Sequence, residues 1–198
     1  ALAMAIPLGM AAGRAPGGMV DRIALFIALL GVSTPIFWLS FILILVLGLQ
    51  FAVLPISGGG SFKHLLMPAM ALAFYSMPAF IRISRAGMIE VMRSDYIRTA
   101  RAKGLRPWQI YLHHALRNTL VPVVAVASVQ FGFLLGGSVV VENIFAIHGI
   151  AYLTWEAINQ NDYPVVQAAL LAVSSAYVVL TLLADLINVM IDPRIRLD

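Results

Sequence analysis

The chain has no cysteine, only two lysines and few charges of either sign: 11% of its 198 residues are charged, against roughly 25% in an average soluble domain. Without cysteine there is no disulfide and no thiolate metal site, and redox chemistry gives no clue to compartment. A phosphate-binding loop needs Gly-x-x-x-x-Gly-Lys followed by Ser or Thr. Lys63 follows Phe62 and Lys103 follows Ala102, so neither lysine completes one, and any ATP must be bound by another chain. The adjacent His113 and His114 point about 100° apart on a helix and cannot share a metal as i, i+4 histidines do. They are expected to be surface polar groups near lipid headgroups. No catalytic residue, metal site or cofactor is expected in this chain. Internal repeats, low-complexity tracts and a basic start followed by a small-residue cleavage site are also missing.

What fills the chain instead is apolar sequence, 61% of the residues. A run of roughly 18 or more apolar residues matches a bilayer core about 30 Å thick. The apolar runs predict spans at 23–54, 65–85, 118–141 and 165–191, with a partial one at about 1–12. The run 23–54 would make a straight helix of about 48 Å, longer than the bilayer needs. Pro35, after Ser33 and Thr34, is the expected bend. Pro68 and Pro78 are expected to interrupt the next span. Residues 1–12 begin inside an apolar segment without Met and read as the end of a longer helix. The reading frame is therefore expected to extend upstream. The fold class is an all-α, polytopic membrane helical bundle.

Basic residues set the orientation, because Lys and Arg near span ends mark the cytoplasmic face. Arg14 and Arg22 lie in the first loop, eight basic residues from Arg82 to Arg117 in or beside the central insert, and Arg194 and Arg196 in the tail. These three regions fall on one side if every run crosses once. Only Lys63 falls on the other. The loops at 55–64 and 142–164, the second with a short surface helix around 150–158, are then external, and the polar insert 86–117 is cytoplasmic.

Within the insert, "DYIRTARAKGLRP" at 95–107 reads as a short helix. Ser94 or Asp95 can cap its start, Gly104 is placed as its C-terminal stop, and Pro107 suits the first turn of a following helix. Ala100 and Ala102 would leave one face flat for a partner. From the residues alone two readings stand level: a basic loop on anionic lipid, worth about 1 kcal/mol per basic side chain, and a docking element.

The stretch "DYIRTARAKGLRPWQIYLHHALRNTLVP" resembles the cytoplasmic loop of permease subunits of binding-protein-dependent ABC importers, in particular the dipeptide, oligopeptide and nickel branch. In the broader EAA motif, Arg98 and Thr99 stand at the Glu and first Ala, Ala100 at the second Ala and Gly104 at the Gly. "GVSTPIFW", "ENIF", "NDYPVVQ" and "IDPRIRL" extend the likeness to nearly the whole chain. In "AIHGIA", His148 and Ala151 depart from the family's Pro and second Gly. The resemblance implies residues 1–198 form an ABC type-1 importer transmembrane domain in the cytoplasmic (inner) membrane. It implies a permease for a di- or oligopeptide, with nickel or glutathione as alternatives. It also implies a second, homologous permease subunit, two cytoplasmic ATPase subunits that bind the ATP, and an extracytoplasmic substrate-binding protein, all in membrane lipid and with no role for nucleic acid. Asp95, Arg98, Thr99, Ala100, Arg101, Ala102 and Gly104 would form the ATPase-docking loop.

Other polar points are less specific. Gln130 in the fourth span, with Ser33, Thr34, Ser76 and Ser138, could line a translocation path or make ordinary interhelical hydrogen bonds. "GFLLG" at 132–136 permits close helix approach. Asp185 in the last span is expected to pair with an interfacial Arg rather than relay protons. A channel or voltage sensor fits poorly, since Arg82 and Arg85 begin no longer ladder. A channel-like or lipid-anchored scaffold membrane protein remains the reading from another class.

Overall fold

In the computed structural model, which describes residues 1–191, every regular element is a helix. In chain order these are α1 (Leu2–Arg14), α2 (Met19–Ser33), α3 (Ile36–Leu43), α4 (Phe62–Arg93), α5 (Asp95–Ala102), α6 (Pro107–Gln109), α7 (Leu116–Ile144), α8 (Ile150–Asn159) and α9 (Tyr163–Ile191). π-helical turns extend α3 over Ile44–Gln50 and join α6 to α7 over Ile110–Ala115. The side chains of His113 and His114, and the tail with Arg194 and Arg196, lie outside the described residues.

Among the described residues, three helical stretches are long and apolar enough to cross a bilayer: Phe62–Arg93, Pro107–Gly136 and Tyr163–Ile191. α2 and the extended α3 make a fourth if they count as one broken span. The break falls at Pro35, whose backbone is extended (φ −63°, ψ 136°), because Pro removes a donor and pushes the residue before it out of helical conformation. Pro68 and Pro78 interrupt nothing: α4 runs through both. At 32 residues α4 is about 48 Å long and outruns a 30 Å core. Residues 86–93, read above as part of the polar insert, are its last turns. The insert's other end, from Pro107, already belongs to the next helix. Only residues 94–106 break the long helices.

The chain folds as two compact units. The first contains Ala1–Gly31, Met77–Val129 and the end of the chain from Thr181. Here α1 lies against the second half of α4. Gly9 and Gly13 make this possible: a Cβ on Gly9 would sit 2.6 Å from the carbonyl oxygen of Ile81, and one on Gly13 would sit 2.7 Å from Cβ of Met88. With Ala5 and Ala12 they form a small-residue face that lets backbones approach. Ala24, Ala28, Phe80, Ile81 and Val123 complete this core. Asp21, nearly fully buried, receives both Nε and Nη2 of Arg85, the latter at 2.8 Å, and the N–H of Gly17 at 2.7 Å. Removing Arg85 would leave the buried Asp21 charge uncompensated. Arg117 Nε donates to the Ile191 carbonyl at 2.7 Å, satisfying one of the orphan acceptors at the end of α9.

The second unit contains Val32–Ser76 and Gln130–Leu180. Its core joins Met67, Val141 and Phe145 to Ile36, Leu43, Leu47 and Leu54. α7 ends in a turn with Ala146 left-handed (φ +52°). Glu142 then reaches past that turn and accepts the Tyr152 N–H at 2.7 Å. It thereby caps α8 from another helix, as a carboxylate should at a positive helix end. Gly149 leaves the room: a Cβ there would lie 2.5 Å from the Glu142 carboxyl carbon. The surface helix read at 150–158 is α8.

Candidate docking site

α5 starts after Ser94, which occupies the cap position but turns its hydroxyl back to the Val91 carbonyl at 2.6 Å. Ser94 therefore closes α4 and supplies no side-chain cap to α5. At the other end Gly104 has φ +76°. Its N–H reaches the Arg101 carbonyl at 3.0 Å, and the Leu105 N–H reaches that of Ala100 at 3.2 Å. This is a Schellman closure, with the glycine in the conformation that costs other residues most. Arg106 and Pro107 open the next helix, and the Arg106 N–H donates to the Gln109 side chain at 3.0 Å.

The helix is amphipathic, and its two faces have different tasks. Ile97 and Ala100 are buried among Met88, Val91, Ile110 and Ala115, with Leu105 folded over them. That corrects the expectation for Ala100: it packs against the end of α4 and presents no face to a partner. Three residues apart, Ile97 and Ala100 lie on one side of the helix. Asp95, Arg98, Thr99 and Ala102 lie on the other and are exposed, as are Arg101, Lys103 and Gly104. Arg98 and Asp95 approach to 3.7 Å, a surface pair of little energetic weight. The Thr99 hydroxyl bonds the Asp95 carbonyl at 3.0 Å. The outward face therefore offers a small centre at Ala102 and Thr99, rimmed by charge, with Tyr96 of the same helix also exposed.

The path candidates bond within their own helices or stand partly open. Ser76 and Ser138 donate to carbonyls of their own helices, Ala73 at 3.1 Å and Leu135 at 2.8 Å. Ser33 is exposed, while Thr34 and Gln130 are half-buried. Among the described residues no hydrogen bond joins any two of the five. In "GFLLG", Gly132 meets the Tyr177 ring, 2.9 Å from a would-be Cβ, while Gly136 meets nothing within 4 Å. Asp185 is exposed and makes no ion pair among the described residues. Three structural features went unread in the sequence: the Gly9–Gly13 face, the Asp21–Arg85 pair and the Glu142 cap. Only the first had a local signal, "GMAAG", the same spacing as the weaker "GFLLG".

Apolar helices long enough to cross a bilayer, with a short polar helix closed by a glycine between two of them, define a multi-pass membrane protein. The chain belongs to the family described as binding-protein-dependent transport system inner membrane component, whose profile matches residues 5–197. Its fold is that family's ABC type-1 transmembrane domain, and its place is the inner membrane. A "probable peptide ABC transporter permease protein" of Sinorhizobium fredii is 38% identical over 199 residues, 96% of this chain and 64% of the relative. Glutathione transport system permease proteins GsiC are also 38% identical. The one from Pectobacterium atrosepticum is matched over 98% of this chain and 65% of its own length, the one from Escherichia coli over 97% and 64%. The chain thus spans just under two thirds of the length of these relatives.

Proposed function

We propose that the chain forms the membrane-spanning part of a permease subunit of an ABC importer, passing a di- or oligopeptide into the cytoplasm. The observation that carries this reading is the family match over nearly every residue. Two ATPase subunits bind and hydrolyse the ATP. One of them docks on the outward face of α5, through Asp95, Arg98, Thr99, Arg101 and Ala102, with Gly104 as the hinge. The closure at Gly104 and the anchoring of Ile97 and Ala100 on α4 support this, because a short helix pinned on one face can pass a rigid-body motion to the span behind it. A second permease subunit and an external binding protein complete the assembly. Glutathione, itself a small peptide, is the second reading, favoured by the names of the GsiC relatives.

The test is uptake by proteoliposomes holding the full-length permease pair and its ATPases, with the binding protein supplied outside. Peptide uptake that needs both ATP and binding protein is expected. Flux without the ATPases would favour a channel, and no flux under any condition a scaffold. Single cysteines test the orientation. Ser61→Cys and Asn159→Cys should react with an impermeant thiol reagent from outside, and Lys103→Cys only after the membrane is opened. Outside labelling at Lys103→Cys would overturn the topology.

A further inference from the structure

The first unit carries an apolar groove of about 710 Å³ between the end of α1, the start of α2 and the π-helical turn before α7. Ile6, Met10, Met19, Val20, Leu112 and Leu116 line it. Met19, Val20 and Leu112 are strongly exposed, so the groove opens outward rather than into the core. A single charged side chain, Arg14, stands among its lining residues. Its guanidinium lies over the face of Tyr111, 4.9 Å from the ring centre, and pairs with no carboxylate among the described residues. The ring therefore holds the cation at the rim without neutralising it.

We infer that this groove seats an acyl chain of an anionic phospholipid of the cytoplasmic leaflet, with the headgroup phosphate on Arg14. The match is one of charge and polarity. An apolar trough suits a hydrocarbon chain, and a planar guanidinium suits phosphate oxygens in pairs. The positive-inside orientation sets Arg14 at the depth where those phosphates lie. An anion is the complement, since a neutral apolar occupant would leave the charge unused. No residue of α5 lines this site, and the inference does not depend on the transport reading, only on the membrane location and orientation.

The test uses the full-length permease complex in vesicles carrying a trace of phosphatidylglycerol with a photoreactive acyl chain. Crosslinks should map to peptides containing residues 6–20 and 111–116, and unlabelled phosphatidylglycerol should compete better than phosphatidylcholine. Arg14→Gln should weaken that preference about five-fold, as expected for one basic side chain at an anionic surface, and Arg14→Lys should keep most of it. Ala11, exposed on the groove wall, offers a second variant: Ala11→Phe should abolish crosslinking there with either headgroup. Equal competition by the two lipids, an unchanged preference in Arg14→Gln, or no crosslink in this groove because another part of the protein fills it, would each overturn the inference. Uptake need not be measured, so failure here leaves the proposed function standing.

Discussion

Two helix ends in this protein use the same backbone device and are finished differently. α5 ends at Gly104, left-handed at φ +76°, and α7 ends at Ala146, left-handed at φ +52°. Both fold the chain back onto the third residue from the cap: Leu105 N–H to the Ala100 carbonyl at 3.2 Å, and Ile147 N–H to the Glu142 carbonyl at 2.8 Å. Around Ala146 the turn is tied to two neighbouring segments. The Gly58 N–H holds the Phe145 carbonyl at 2.9 Å, and Glu142 holds α8. Around Gly104 a Cβ would meet nothing within 4 Å. A turn held by its neighbours can keep an alanine in a costly conformation. A bare turn has to rely on the residue itself, and the bare turn is the one beside the exposed face of α5.

The comparison can be broken most forcefully at Ala100. Ala100→Glu places a carboxylate against Met88 and Val91 and should cost roughly 3–5 kcal/mol, the range for an uncompensated buried charge. α5 should detach, and protease cleavage after the basic residues of 98–106 should rise sharply. Unchanged protection would mean that α5 is not anchored through this face. Next is Gly149→Val in the second unit. It evicts the Glu142 carboxylate and uncaps α8, at about 1–2 kcal/mol. Hydrogen exchange should accelerate over the first turn of α8 and leave α5 untouched; equal exchange would show the cap to be dispensable. Gly104→Val comes third, at roughly 1–2 kcal/mol, set by conformation alone. Gly104→Asn should be milder, since Asn tolerates the left-handed region better. The smallest effect is Ala146→Gly, a gain of a few tenths to about 1 kcal/mol, read as a small rise in melting temperature. A loss there would mean that alanine is not strained at that turn.

How much of this could be read beforehand depends on how local the cause is. The hinge at Gly104 was legible because Gly followed by Pro after a polar helix leaves few alternatives. The direction of Ala100 was not. A small residue looks the same whether it makes room for its own chain or for another, and only Ile97 three residues earlier hints at the answer. Pro68 and Pro78 misled because a long packed helix absorbs a missing donor, whereas at Pro35 the helix gives way. The polar insert is narrower than its charges suggest because α4 continues through Arg85 to Arg93, and a charge on a helix does not end it. Asp21 and Arg85 lie 64 residues apart, and no local pattern joins them.

The central claim is that the outward face of α5, and not its buried face, receives the ATPase. The most direct measurement pairs ATPase co-purification with thermal stability for Ala102→Glu in the full-length permease. Ala102 is exposed at the centre of that face, so a charge there should leave the melting temperature at the wild-type value while retained ATPase and ATP-driven uptake fall together. Wild-type ATPase retention and uptake in Ala102→Glu, at unchanged stability, would contradict the account.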